Sequence, residues 1–94
     1  MNINLQLEAQ LREAAGVQQE TVEVAEGSNV VDAVSALAKQ YADAIGNRLL
    51  AESGELQKGL LIFVNDQPIS SATATRQTLN DGDTVLLCPP ISGG

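Results

Sequence analysis

Histidine is absent from this 94-residue chain. With it go every Ser-His or Cys-His nucleophile and every imidazole metal ligand. Cysteine occurs once, as Cys88, which excludes an internal disulfide or a thiolate metal cage and fits a reducing compartment. Tryptophan is missing and aromatics make up 2% of the residues, so few of the usual interface anchors are available. Basic residues number 5 against 12 acidic ones, for a net charge of −7. That balance disfavours nucleic acid and anionic membrane and favours a basic protein partner through long-range steering. The longest apolar runs, such as residues 60–64, are far too short to span a bilayer. Met1-Asn2-Ile3-Asn4 has neither the basic nor the apolar stretch of a secretory signal, so a cytoplasmic location is expected. No glycine-rich loop leads from a strand into a helix to cradle phosphate. Acidic residues are scattered singly, apart from Asp81 and Asp83 around Gly82. The chain is therefore expected to bind no metal or cofactor and to carry no catalytic side chains of its own.

What is present reads as one globular domain, 44% hydrophobic and 18% charged. Ile3, Leu5 and Leu7 alternate with polar neighbours and predict a strand. Residues 9–15 predict a short helical turn closed by Gly16. Residues 21–25 predict a second strand, antiparallel to the first. Asn29 and Asp32 are spaced as a helix cap, with Ser28 competing for that position. Val30, Val34, Leu37, Tyr41 and Ile45 then recur at helical spacing, with Ala38 and Ala42 in the same stripe. They predict one long helix ended by Gly46 and Asn47. Residues 48–59 hold a short helical turn or a mobile loop, with Leu49 and Leu50 returning to the core. Residues 60–64 predict a buried strand, and Asn65-Asp66 a tight turn into a short edge segment at Pro68-Ile69. Residues 70–77 are polar and small, and read as loop. Asn80-Asp81-Gly82-Asp83 predicts a turn that launches residues 84–88 as the last strand. The order implies an α+β layer in which a single helix crosses a mixed sheet of four to five strands. The right-handed crossover rule then places the final strand inside the sheet.

That strand runs into Pro89-Pro90-Ile91-Ser92-Gly93-Gly94. The two prolines hold the base of this segment extended and off the body. The two glycines lack Cβ atoms, so their backbone can enter a channel that other residues would block. An unhindered carboxylate at Gly94 is open to activation by another enzyme. An inert, frayed chain end is the competing reading. The expected division is a domain over 1–88 and an extended tail over 89–94.

The element order, the turn at residues 80–83 and the ending together resemble the MoaD/ThiS family of ubiquitin-like sulfur carriers, over essentially the whole chain. Residues 10–16 look like that family's first helical segment and residues 61–65 like its third-strand signature. The resemblance implies a β-grasp fold and a carrier role. An E1-like adenylating enzyme would use ATP and magnesium to activate the Gly94 carboxylate, which then becomes a thiocarboxylate. Gly93 and the residues from Pro89 to Ser92 would bind within the partner's channel. The ending is similar to the small subunit of molybdopterin synthase, which implies molybdopterin biosynthesis and a large catalytic synthase subunit, or another sulfur-accepting enzyme, as second partner. Two positions depart from that subunit: Cys88 stands where it commonly has an aromatic, and Glu8 where it often has Phe. The long segment 48–59 resembles carriers that supply sulfur for cysteine synthesis. A thiamine carrier, a covalent protein modifier and a plain β-grasp interaction module are compatible with the same residues. Cys88 reads either as a relay thiol or as a small inert strand residue. Arg12 reads either as a contact for the activating enzyme or as a solvated charge.

Overall fold

β1 (Asn2–Leu7) turns Ile3, Leu5 and Leu7 to the interior and its polar residues to the other face. The computed structural model describes residues 1–90, and the β1 alternation is the pattern of a sheet covered on one side. α1 (Ala9–Ala15) follows, buries Leu11, and closes on Gly16, whose N–H donates to the Arg12 carbonyl at 2.9 Å. β2 (Gln19–Glu23) pairs antiparallel with β1, Ile3 opposite Val22. This strand lies two residues earlier than the expected 21–25. Val24 falls beyond it and exchanges hydrogen bonds with Met1, whose amino group donates to the Val24 carbonyl at 2.7 Å.

α2 (Val30–Gln40) starts on a reciprocal cap. Asn29 Oδ1 accepts from the Asp32 N–H at 2.8 Å, and Asp32 Oδ2 accepts from the Asn29 N–H at 2.9 Å. The expected single long helix does not form. Tyr41 leaves helical geometry, a wide π turn occupies Ala42–Gly46, and α3 (Asn47–Leu49) completes the segment. A stripe repeating every four residues drifts about 40° per step around a 3.6-residue helix. Across Leu37, Tyr41, Ile45 and Leu49 the wide turn takes up that surplus, and Leu37, Ile45 and Leu49 all stay fully buried. Residues 50–60 return through a bridge between Leu50 and Leu56.

β3 (Leu61–Val64) and β4 (Gln67–Ile69) form a hairpin whose two turn residues, Asn65 and Asp66, have φ of +47° and +71°. Paired left-handed residues match the twist of the flanking strands. The polar stretch read as loop contains α4 (Ser71–Ala74), because Ser70 Oγ caps it by accepting from the Thr73 N–H at 3.1 Å. β5 (Thr84–Cys88) runs parallel to β1 and antiparallel to β3, which gives the sheet order β2-β1-β5-β3-β4. The last strand is thus the central one, as expected from the crossover rule.

This is the ubiquitin-like β-grasp arrangement: a mixed five-stranded sheet with helical segments across one face. No polar or charged residue is buried among the described residues, so packing of apolar side chains holds the layers together. No described helix is long and apolar enough to cross a membrane.

Candidate functional site

β1 and β5 are parallel and in register, Leu7 beside Leu87, so both strands end at one rim of the sheet. The Glu8 N–H donates to the Leu87 carbonyl at 3.1 Å, and Ala9, with φ of +51°, turns the chain into α1. Arg12 is therefore exposed on a helix that begins beside the end of the central strand. β3 starts at the same rim, Leu61 opposite Cys88. Pro89, half-buried, and Pro90, exposed, come next. Neither has an N–H to donate, so the ladder ends at Cys88. Among the predicted site residues, Cys88, Pro89 and Pro90 thus share one rim with the start of the helix that carries Arg12. Ile91, Ser92, Gly93 and Gly94 lie outside the described residues.

Residues 60–64 were expected to be buried throughout. In β3 only Ile62 and Val64 are, because the sheet is covered on one side. Phe63 stands directly opposite Leu86, and Leu61 directly opposite Cys88, all on the open face. Leu61 is 39% exposed, the one large hydrophobic residue so open among those described. A shallow groove of about 300 Å³ continues the patch between Gln6, Phe63, Asn65, Asp66, Thr84 and Leu86. Apolar side chains thus occupy a face that an antiparallel meander would give to polar residues. Sequence reasoning missed this patch. Its signal was the unbroken apolar run itself, since a strand covered on one side needs only alternate apolar residues. A larger hollow of about 610 Å³ lies along α2, the π turn and residues 50–54, and none of the predicted site residues lines it.

The start of β5 is tied down by Asn65. Its Oδ1 accepts from the Thr84 N–H at 3.0 Å, and its Nδ2 donates to Asp83 Oδ1 at 3.0 Å. Asp83 in turn accepts from the Asn80 N–H through Oδ2 at 2.8 Å, closing the turn foreseen at residues 80–83. On the far side of the sheet, Tyr41 Oη and Gln40 Nε2 donate to Glu20 Oε1 at 2.6 and 2.8 Å, stapling β2 to the end of α2. The Tyr41 hydroxyl holds the Glu20 carboxyl below its usual range, helped by the Thr21 N–H and by Gln40. The same bond pushes the Tyr41 phenol up, and burial adds to that. Among the described residues, no three His, Cys, Asp or Glu side chains gather where a metal could be held.

A small mixed sheet, open on one face, whose central strand runs into two prolines at the rim defines a ubiquitin-like domain. The ThiS family model matches residues 5–94, and the chain belongs to that family. Small archaeal modifier protein 3 of Haloferax volcanii is 29% identical over 94 residues, with 100% of both chains covered. Sulfur carrier protein CysO of Mycobacterium tuberculosis is 29% identical over 96 residues, again with 100% of both covered. Among solved structures, SAMP1 of Haloferax volcanii superposes with a TM-score of 0.87 at 29% identity, covering 100% of each chain. A Pyrococcus furiosus protein described as putative molybdopterin converting factor, subunit 1, superposes with a TM-score of 0.74 at 25% identity, covering 97% of this chain and 99% of that one.

Proposed function

We propose that this protein carries sulfur on the carboxylate of Gly94. An E1-like partner joins that carboxylate to the AMP portion of ATP, releasing pyrophosphate. A sulfide-level donor then displaces AMP and leaves a thiocarboxylate, the nucleophile handed to a second, sulfur-accepting enzyme. A carboxylate is a poor electrophile until one oxygen becomes a good leaving group. Magnesium and the stabilising charges for that step come from the partner. The observation that carries the reading is the placement of β5: the central strand, paired on both sides, opens directly into Pro89-Pro90 at the rim, beside an exposed apolar face. The family match running through residue 94 supports it. The apolar face is the surface on which the partner seats the body of the domain, and the net charge of −7 steers the encounter. Use of ATP and a single free thiol fit a cytoplasmic setting.

The recipient of the sulfur is the finer question. The molybdopterin reading rests on the ending of the chain and on the Pyrococcus likeness. The identity to CysO and to an archaeal modifier weighs toward a different acceptor, and we rank a CysO-like carrier or a modifier ahead of a synthase subunit. A modifier shares the activation step but ends in an isopeptide bond to a lysine. Cys88 is assigned packing rather than relay, and Cys88→Ser is expected to load sulfur normally.

Intact mass spectrometry of the chain produced with its activating enzyme and a sulfur source tests the proposal. Exchange of one oxygen for sulfur at Gly94 supports the carrier, and mass additions to other proteins support the modifier. An unmodified chain whose biological role survives deletion of Gly94 refutes both. One residue added after Gly94 is expected to abolish loading and leave the fold intact.

A further inference from the structure

The antiparallel pairing of β3 and β5 ends at Leu61 and Cys88. Two residues beyond each of these, Gly59 and Pro90 still lie against one another. A Cβ on Gly59 would lie 3.0 Å from Pro90 Cβ and 3.5 Å from its Cγ, so one of the two would have to shift. Gly59 also has φ of +83°, which L side chains adopt only with strain. Gly54, in the same loop, has φ of +89° but nothing within 4 Å of its would-be Cβ. The two glycines share a backbone conformation and differ in whether a tail residue sits against them.

Gly59 is itself held in place. The Gln57 N–H donates to the Leu49 carbonyl at 2.9 Å, and its Nε2 donates to the Asn47 carbonyl at 2.9 Å. The Leu60 N–H closes a turn onto the Gln57 carbonyl at 3.3 Å. The end of the helical layer is thus wired through Gln57 to the glycine that sits against Pro90. We propose that Gly59 is a positioning residue for the tail: its bare Cα seats Pro90 against the loop before β3, and so sets the direction in which the chain leaves the domain toward Gly94. The functional consequence rests on the sulfur-carrier reading, because direction matters only if Gly94 must thread into a partner's site while the sheet face is docked.

The test compares Gly59→Ala, Gly54→Ala and the double variant Gly59→Ala/Pro90→Gly. The first readout is NMR of the protein alone. Wild type should show a nuclear Overhauser contact between Gly59 Hα and Pro90 Hβ. The amide shifts of Ile91 and Gly93 should move in Gly59→Ala and stay in place in Gly54→Ala. The second is ATP–pyrophosphate exchange with the adenylating enzyme of the same organism, using radiolabelled pyrophosphate. Since small misplacements of a reacting group are costly, Gly59→Ala should lower kcat roughly tenfold with KM within about twofold, and Gly54→Ala should change neither by more than about twofold. In the Pro90→Gly background, where the crowded atoms are gone, the Gly59→Ala effect should shrink toward that of Gly54→Ala. Equal losses in Gly59→Ala and Gly54→Ala, a rise in KM with kcat unchanged, or no contact between Gly59 and Pro90 would each overturn the proposal. If wild type supports no exchange at all, the carrier reading fails, and the NMR result still decides the seating of Pro90.

Discussion

Replacing Asn65 by Ala removes three things whose sizes can be set against one another. The first is conformational: Asn65 has φ of +47°, a region that Asn enters readily and Ala does not, at a cost of about 1 kcal/mol. The second and third are the bonds of its amide to the Thr84 N–H and to Asp83 Oδ1, each 3.0 Å long. Both are solvent-exposed, and together they contribute about 1 kcal/mol. The expected total is about 2 kcal/mol. In a domain of this size that lowers the melting temperature by about 10 °C. Asn65→Gly keeps the backbone freedom and loses only the bonds, so about half the effect is expected from it. Urea unfolding followed by far-UV circular dichroism measures both variants, with coincident probes checking the two-state assumption. A Gly variant as unstable as the Ala variant would show that the left-handed turn contributes nothing. An Ala variant within about 0.5 kcal/mol of wild type would refute the whole account, since surface changes without a specific role fall in that range. The site is informative because Asn65 ties the hairpin to the first residue of β5, the strand that leads into Pro89-Pro90.

Three further outcomes are expected. Tyr41→Phe removes the donor that does most to lower the Glu20 carboxyl. The lowered Glu20 carboxyl means that this bond stabilises above the usual glutamate range and is lost as pH falls through the lowered value. The raised Tyr41 phenol means that its share is complete below the usual tyrosine range and is lost as pH climbs through the raised value. The stability difference between wild type and Tyr41→Phe should therefore be a plateau near neutrality that shrinks in acid and in alkali, and a difference independent of pH would contradict it. Asn29→Ala opens the reciprocal cap of α2 and its bond to the Thr75 carbonyl, and should cost about 1 kcal/mol in denaturant unfolding. No change there would mean that Ser28 takes over as cap. Leu61→Asp on the open face should weaken binding to the activating enzyme about tenfold or more by calorimetry, while leaving the melting temperature nearly unchanged. Ala42→Glu, in the hollow behind α2, should leave that affinity unaltered, and the reverse pattern would move the docking surface to the helical side.

Much of the architecture was legible because its signals are local. Alternation in residues 3–7, the Asn29–Asp32 spacing, the paired turn residues Asn65 and Asp66, and the turn at residues 80–83 each state a backbone geometry over a few positions. The misreadings came where two local rules competed. Tyr41 and Ile45 fit a continuous helical stripe, but an α-helix cannot keep a four-residue repeat on one face for long, and the π turn between them is the compromise. Ser70 to Gln77 looks like loop by composition, yet a serine cap and a buried Ala74 are enough to wind one turn inside it. Residues 60–64 looked buried because an apolar run does not say which of its faces the fold leaves open.

By itself the sequence narrowed the classes of chemistry to be expected. Without histidine or a second cysteine it offers no imidazole relay and no internal disulfide, which is why the proposal falls on the carboxylate of Gly94. It also made the order of the five strands and the start of the main helix legible, since strand and helix periods and turn residues are properties of neighbours along the chain. Only the tertiary structure decided what surrounds Cys88, Pro89 and Pro90, where the last strand reaches the rim. The central position of β5, the apolar face of Leu61, Phe63 and Leu86, and the seat that Gly59 makes for Pro90 all join residues far apart in sequence. Such pairings depend on the register between strands, which the packing of the whole core selects and no single segment encodes.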